Sequence, residues 1–144
     1  MNEEGESRYS ILFRVHQDGD LYSIPIQCVA WVEPFTKRPA AMMRSPGHIV
    51  GVYPFHGKNI SVVDLGRLLG FGRTADGVPL GRSLLVIENT EIGFLVDAVL
   101  GVETLHSRQS SGPLSKQLVQ SVYSCDGRDE LVLELDVSRL LSIC

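Results

Sequence analysis

The residues of this 144-residue chain that could ligate, attack or carry protons are four histidines, three cysteines and scattered serines and aspartates. A metal centre needs its ligands on one face, as when two histidines lie one helical turn apart. His16, His48, His56 and His106 instead fall in unrelated turns and loops with no paired spacing. Cys28, Cys125 and Cys144 show neither zinc nor redox spacing, and their odd number fits a reducing cytoplasm. Ser110 and Ser111 lie in a polar segment without a glycine elbow or a neighbouring base, so they make a weak nucleophile. Gly51 to Lys58 has a superficial likeness to a phosphate loop. It carries one residue too many between the glycines, Asn59 stands where Ser or Thr is needed, and a strand follows in place of a helix. Asp64 and Asp136 each precede a short leucine-rich run, which makes them helix caps and not catalytic carboxylates. No catalytic, cofactor-binding or metal-binding residue is assigned, and the chain is expected to be no enzyme.

The elements that carry these residues are organised around Ile49 to Leu69. Two β-rich runs, Ile49 to Phe55 and Asn59 to Val63, flank His56, Gly57 and Lys58, which predicts a hairpin with glycine at positive φ. Asp64 then caps a helix bearing Leu65, Leu68 and Leu69. The same words recur at an offset of 72, where Glu134 to Leu141 repeats Val62 to Leu69. A second recurrence, Tyr22 to Val32 against Ile92 to Val102, has an offset of 70. Two matches in the same order predict two related halves of about 70 residues.

In order, the first half reads as strands at Tyr9 to Val15, Leu21 to Ile26 and Cys28 to Glu33, an Asp18-Gly19 turn, and Pro25 at an edge or break. Pro34 to His48 is a long connection with one helical turn at Ala40 to Met43, and Gly70 to Gly81 is the linker. The second half has strands at Arg82 to Glu88, Ile92 to Val96, Ala98 to Thr104, Leu118 to Cys125 and Glu130 to Leu135. Ser107 to Ser115 is read as a polar connection, and the terminal helix starts at Asp136. Residues 1–8 form a flexible tail and 9–144 a single domain, with one subdomain at about 9–70 and the other at about 82–142. The fold class is mainly β: two small five-stranded barrels packed together, each plugged by a short helix.

Composition narrows the partners. A formal net charge of -4 gives no electrostatic reason to bind phosphate backbones or anionic lipid. The acidic start, MNEEGESR, is not a secretory signal, and no apolar run is long enough to cross a bilayer.

The string Val50 to Leu65, together with Ile92 to Val99 and the repeated halves, resembles the CheW family, the coupling proteins of bacterial chemotaxis. The resemblance runs from about Tyr9 to Leu141. It implies a non-enzymatic two-barrel adaptor without cofactors that binds the regulatory domain of a CheA-type histidine kinase and the cytoplasmic tip of chemoreceptors. Such an adaptor would be cytoplasmic and recruited to receptor arrays at the inner membrane. Carried over by position, the kinase contact falls on Val29, Trp31, Gly51, Val52, His56 and Gly57, and the receptor groove on Asp97, Val99 and Val102. The chain departs from the family pattern in the partner-binding words: Pro54-Phe55-His56-Gly57 stands where the family has Asn-Leu-Arg-Gly, with His56 in place of the arginine, and Trp31 stands where the family has a glutamate. Trp31 serves equally as core filler or as a partner anchor. The rival reading, a small β-barrel that binds nucleic acid or another protein, lacks a basic stripe with interleaved aromatics.

Overall fold

The structure, a computed structural model, describes residues 8–16, 19–36, 47–71, 82–114, 118–125 and 127–144. Its strands are β1 (Arg8–Arg14), β2 (Leu21–Pro25), β3 (Val29–Pro34), β4 (Ile49–Phe55) and β5 (Lys58–Asp64), followed by helix α1 (Leu65–Leu68). Then come β6 (Ser83–Ile87), β7 (Ile92–Val96), β8 (Ala98–Leu114), β9 (Val119–Cys125), β10 (Val132–Leu135) and helix α2 (Val137–Ser142). Pro25 ends β2, and a 3-10 turn at Ile26–Cys28 follows it, in keeping with a residue that has no amide to donate. The segment from Ser107 differs from expectation, because β8 continues as strand to Leu114. The helical turn expected at Ala40 to Met43 and most of the linker expected at Gly70 to Gly81 lie outside the described residues.

The strands form two five-membered sheets, and these are not the two sequence halves. β1, β2, β10, β9 and β8 make a closed barrel, while β3, β6, β7, β5 and β4 make the second sheet in that order. Each sheet therefore takes strands from both halves, so subdomains at 9–70 and 82–142 do not describe the sheets. The exchange is symmetric. β5 runs parallel to β7 with Val62 opposite Gly93, and β10 runs parallel to β2 with Glu134 opposite Ser23. Those pairs are related by the two offsets in the sequence. A half could not bury both strand faces by itself, whereas lending strands to the other sheet gives each half a partner.

Three apolar clusters follow from the alternation of side chains along doubly covered strands. Along β1, Ile11 and Phe13 face a large core between the sheets, which Phe94, Leu65 and Leu140 also enter. Leu12 points the other way, into the closed barrel with Leu105 and Tyr123. The second sheet encloses its own cluster of Phe35, Tyr53, Ile60, Leu84 and Leu95. The helices contribute Leu65 and Leu140 to the shared core, and their expected caps are in place. The Asp64 carboxylate accepts from the amides of Gly66 (3.1 Å) and Arg67 (3.4 Å), and that of Asp136 accepts from Arg139 (3.1 Å).

Candidate partner-binding surface

The β4–β5 hairpin is closed by two residues, His56 and Gly57, with φ of 47° and 78°. Positive φ at both positions is the geometry that matches the twist of the flanking strands. Glycine adopts it without penalty; histidine does so at some cost, and its ring is thereby held out over the end of β4. There it meets aromatic neighbours. The His56 and Phe55 ring centroids are 4.3 Å apart, and Trp31 lies 5.3 Å from His56 and 6.0 Å from Phe55.

Trp31 reaches this position because β3 carries a bulge. Val29 is opposite Ile87, but Trp31 is already opposite Val86, so Ala30 is an extra residue and the alternation resets. Val29 packs against the core between the sheets. Trp31 turns to the other face, where its indole N–H donates to Glu33 at 3.1 Å. It remains 50% exposed, which decides between core filler and surface residue in favour of the surface.

β3 and β4 are the end strands of the second sheet, and among the described residues they make no ladder with each other. The closed barrel shows what would complete it: β8 pairs with β9 there, with Leu105 opposite Cys125. The residues 70 positions earlier are Phe35 and Phe55. Across this seam the second sheet uses rings. Phe35 stacks on Tyr53 inside (5.3 Å), and Trp31 meets Phe55 nearer the surface. Pro34 on β3 and Pro54 on β4 have no amide to donate, a device that keeps sheet edges from recruiting further strands.

Of the residues assigned to the kinase contact, Trp31, His56 and Gly57 come together as an exposed cluster beside this seam. Val52 is half-buried on β4 opposite Ser61, and Gly51 is buried opposite Val62. Val29 is drawn inward by the core. For the receptor groove, Val102 is 50% exposed on β8, while Val99 packs against the shared core as Val29 does. Asp97 sits at the β7–β8 junction, its amide donating to the Arg14 carbonyl at 2.9 Å. Phe55 is not among the contact residues assigned from the sequence; the hairpin pairing that sets it beside His56, and the bulge that delivers Trp31, give it a role. Among the described residues no three or more His, Cys, Asp or Glu side chains are grouped to hold a metal ion, and no helix is long and apolar enough to cross a membrane.

Two interlocked five-stranded β-sheets with a short capped helix after β5 and another after β10 define the fold. The family model for the CheW-like domain matches residues 10–143, and the chain belongs to that family. Among solved structures, the scaffolding protein TtCheW from Thermoanaerobacter tengcongensis superposes with a TM-score of 0.75 at 21% identity, over 91% of this chain and 90% of that one. Curated proteins gave no significant sequence match.

Proposed function

We propose that this chain is an adaptor that couples chemoreceptors to a CheA-type histidine kinase, working through binding surfaces and not through catalysis. Membership of a non-enzymatic scaffold family supports the class of protein. The observation that carries the reading for this chain is the cluster of exposed Trp31 and His56 with half-buried Phe55, at the β3 and β4 edges that among the described residues make no ladder with each other. A large aromatic left half-exposed beside an open seam is the kind of anchor on which partner binding concentrates. In this reading the kinase regulatory domain docks over Trp31, Val52, His56 and Gly57, with Gly51 and Val29 shaping the strands beneath. Asp97, Val99 and Val102 form the receptor side, and the protein works in the cytoplasm at receptor arrays.

Calorimetry of the purified chain against the regulatory domain of the CheA-type kinase from the same genome tests this. Saturable one-to-one binding that is lost in Val52→Asp, with the fold retained, is expected. Binding that Val52→Asp leaves unchanged would remove the surface assignment, and no binding at all would remove the kinase as partner.

A further inference from the structure

Beside the aromatic cluster, the end of the second sheet opens into a cavity of about 670 Å³. Ala30, Phe55, Ile60, Val86 and Ile87 supply the smaller, apolar part of a mostly polar lining, and Phe55 is also the ring that touches Trp31 and His56. The β6–β7 turn forms its rim and brings Glu88 and Glu91, both exposed. Among the described residues neither carboxylate has a cationic side chain paired with it. Glu33, outside the lining, accepts from the indole N–H of Trp31. Lys58 is the one basic residue in the lining, so the rim is acidic on balance.

The turn that carries the two glutamates is held firmly. The Glu88 amide donates to the Cys28 carbonyl at 2.9 Å, the Thr90 hydroxyl to Ile87 at 2.9 Å, and the Ile92 amide to the Thr90 hydroxyl at 3.1 Å. Asn89 takes the left-handed conformation at φ 60°. The carboxylates therefore stand on a pre-formed rim, and little ordering is needed when something binds.

An opening with a polar lining, one aromatic wall at Phe55 and carboxylates at its lip fits one kind of side chain: an aliphatic stem ending in a cation. The stem covers apolar wall while the charged head stays near the lip. A guanidinium suits it better than an ammonium, because it is less strongly hydrated, stacks on aromatic rings and bonds carboxylates in a fork. We infer that this cavity is an anchor site for an arginine side chain presented by the protein partner, with Phe55 as its wall and Glu88 and Glu91 as its charge partners. The partner's identity as the kinase rests on the adaptor reading; the chemistry of the site rests on the cavity itself.

Amide spectra of the full chain titrated with N-acetylarginine amide, N-acetylleucine amide and N-acetylglutamate amide test it. The arginine probe is expected to shift the amides of Ala30, Asn89 and Glu91 and the indole N–H of the single tryptophan, Trp31, at concentrations where the other two do not. The Glu88→Gln/Glu91→Gln variant, which has two exposed substitutions, should lose that response. No shift, or an equal response to the leucine probe, would overturn the proposal. Against the kinase regulatory domain, the same double variant should bind about tenfold more weakly and with a flatter salt dependence. Unchanged affinity there would overturn the arginine anchor while leaving the adaptor role intact. Arginine-selective shifts without kinase binding would keep the site and remove the kinase as its partner.

Discussion

The imidazole of His56 meets the indole of Trp31 edge-on, with ring centroids 5.3 Å apart and planes at 68°. Both positions fall where the family resemblance leads one to expect a charged residue, a glutamate and an arginine, so two separate oddities in the sequence are one contact in the fold. A double-mutant cycle of Trp31→Ala and His56→Ala, read by urea denaturation, should give a coupling of about 0.5–1.5 kcal/mol, the range for edge-to-face rings. Additive losses would mean that the rings merely lie near each other.

The two caps should differ in weight although the sequence repeats them. Asp136 bonds one amide at the helix start, and its ion-pair neighbour Arg139 is 51% exposed in its side chain. Asp64 is 8% exposed, bonds two amides, and faces Arg67 Nε at 3.4 Å and the Arg82 guanidinium at 3.9 Å. Removing it strips a cap and leaves two poorly solvated cations together. Asp136→Ala should cost about 1 kcal/mol and Asp64→Ala about 2–4 kcal/mol in urea titrations. Equal losses would show that the arginines are better solvated than their 14% and 12% side-chain exposures imply.

What the sequence revealed and what it hid divide along the range of the interactions involved. The hairpin at His56 and Gly57, the caps at Asp64 and Asp136, and the repeat between halves are local or periodic, and they are readable from residue order. The exchange of strands between halves is not, because β5, already paired with β4, could equally take its second neighbour from its own half; only burial of both faces settles it. The bulge at Ala30 is also silent. It has no glycine to announce it, yet it alone turns Trp31 away from the face of Val29. Its counterpart in the repeat, at Leu100 between Val99 and Gly101, does carry a marker, because Gly101 beside it takes φ 133°.

Acid should weaken the closed barrel through two ion pairs, one exposed and one half-buried. Arg14 donates to both carboxylate oxygens of Glu130, and Arg128 donates to Glu103 at 3.1 Å. Hydrogen bonding to those arginines holds both carboxyls below the ordinary range, with the Cys125 thiol adding to the effect at Glu103. As pH falls the unfolded chain takes up protons first, so stability is full above the unfolded-state pKa and is lost as pH drops through the folded one. The difference in urea midpoint between the native chain and Glu130→Gln should hold above about pH 5 and shrink progressively as pH falls below the ordinary carboxylate range. A difference that persists into acid would trace the effect of Glu130 to packing and not to its charge.

Gly93 is the position where the two sheets, alike in register, differ in side-chain size. It lies on β7 opposite Val86, as Ser23 lies on β2 opposite Leu12. Two residues before Leu12 the closed barrel has Ser10; two before Val86 the second sheet has Leu84. The larger neighbour is what excludes a side chain at Gly93, since a Cβ there would sit 2.8 Å from Leu84 Cδ1, 2.9 Å from its Cγ and 3.2 Å from Ile60 Cγ2. Leu84 and Ile60 are both buried in the cluster inside that sheet and have little room to yield. Gly93→Ala should therefore destabilise by about 1–3 kcal/mol, even though alanine would otherwise gain from a less flexible unfolded chain. Leu84→Ala removes the atoms that clash, so the Gly93→Ala/Leu84→Ala pair should lose clearly less than the sum of the two single changes in urea titrations. Strict additivity would place the strain of Gly93→Ala in the backbone of β7 and not in its contact with Leu84.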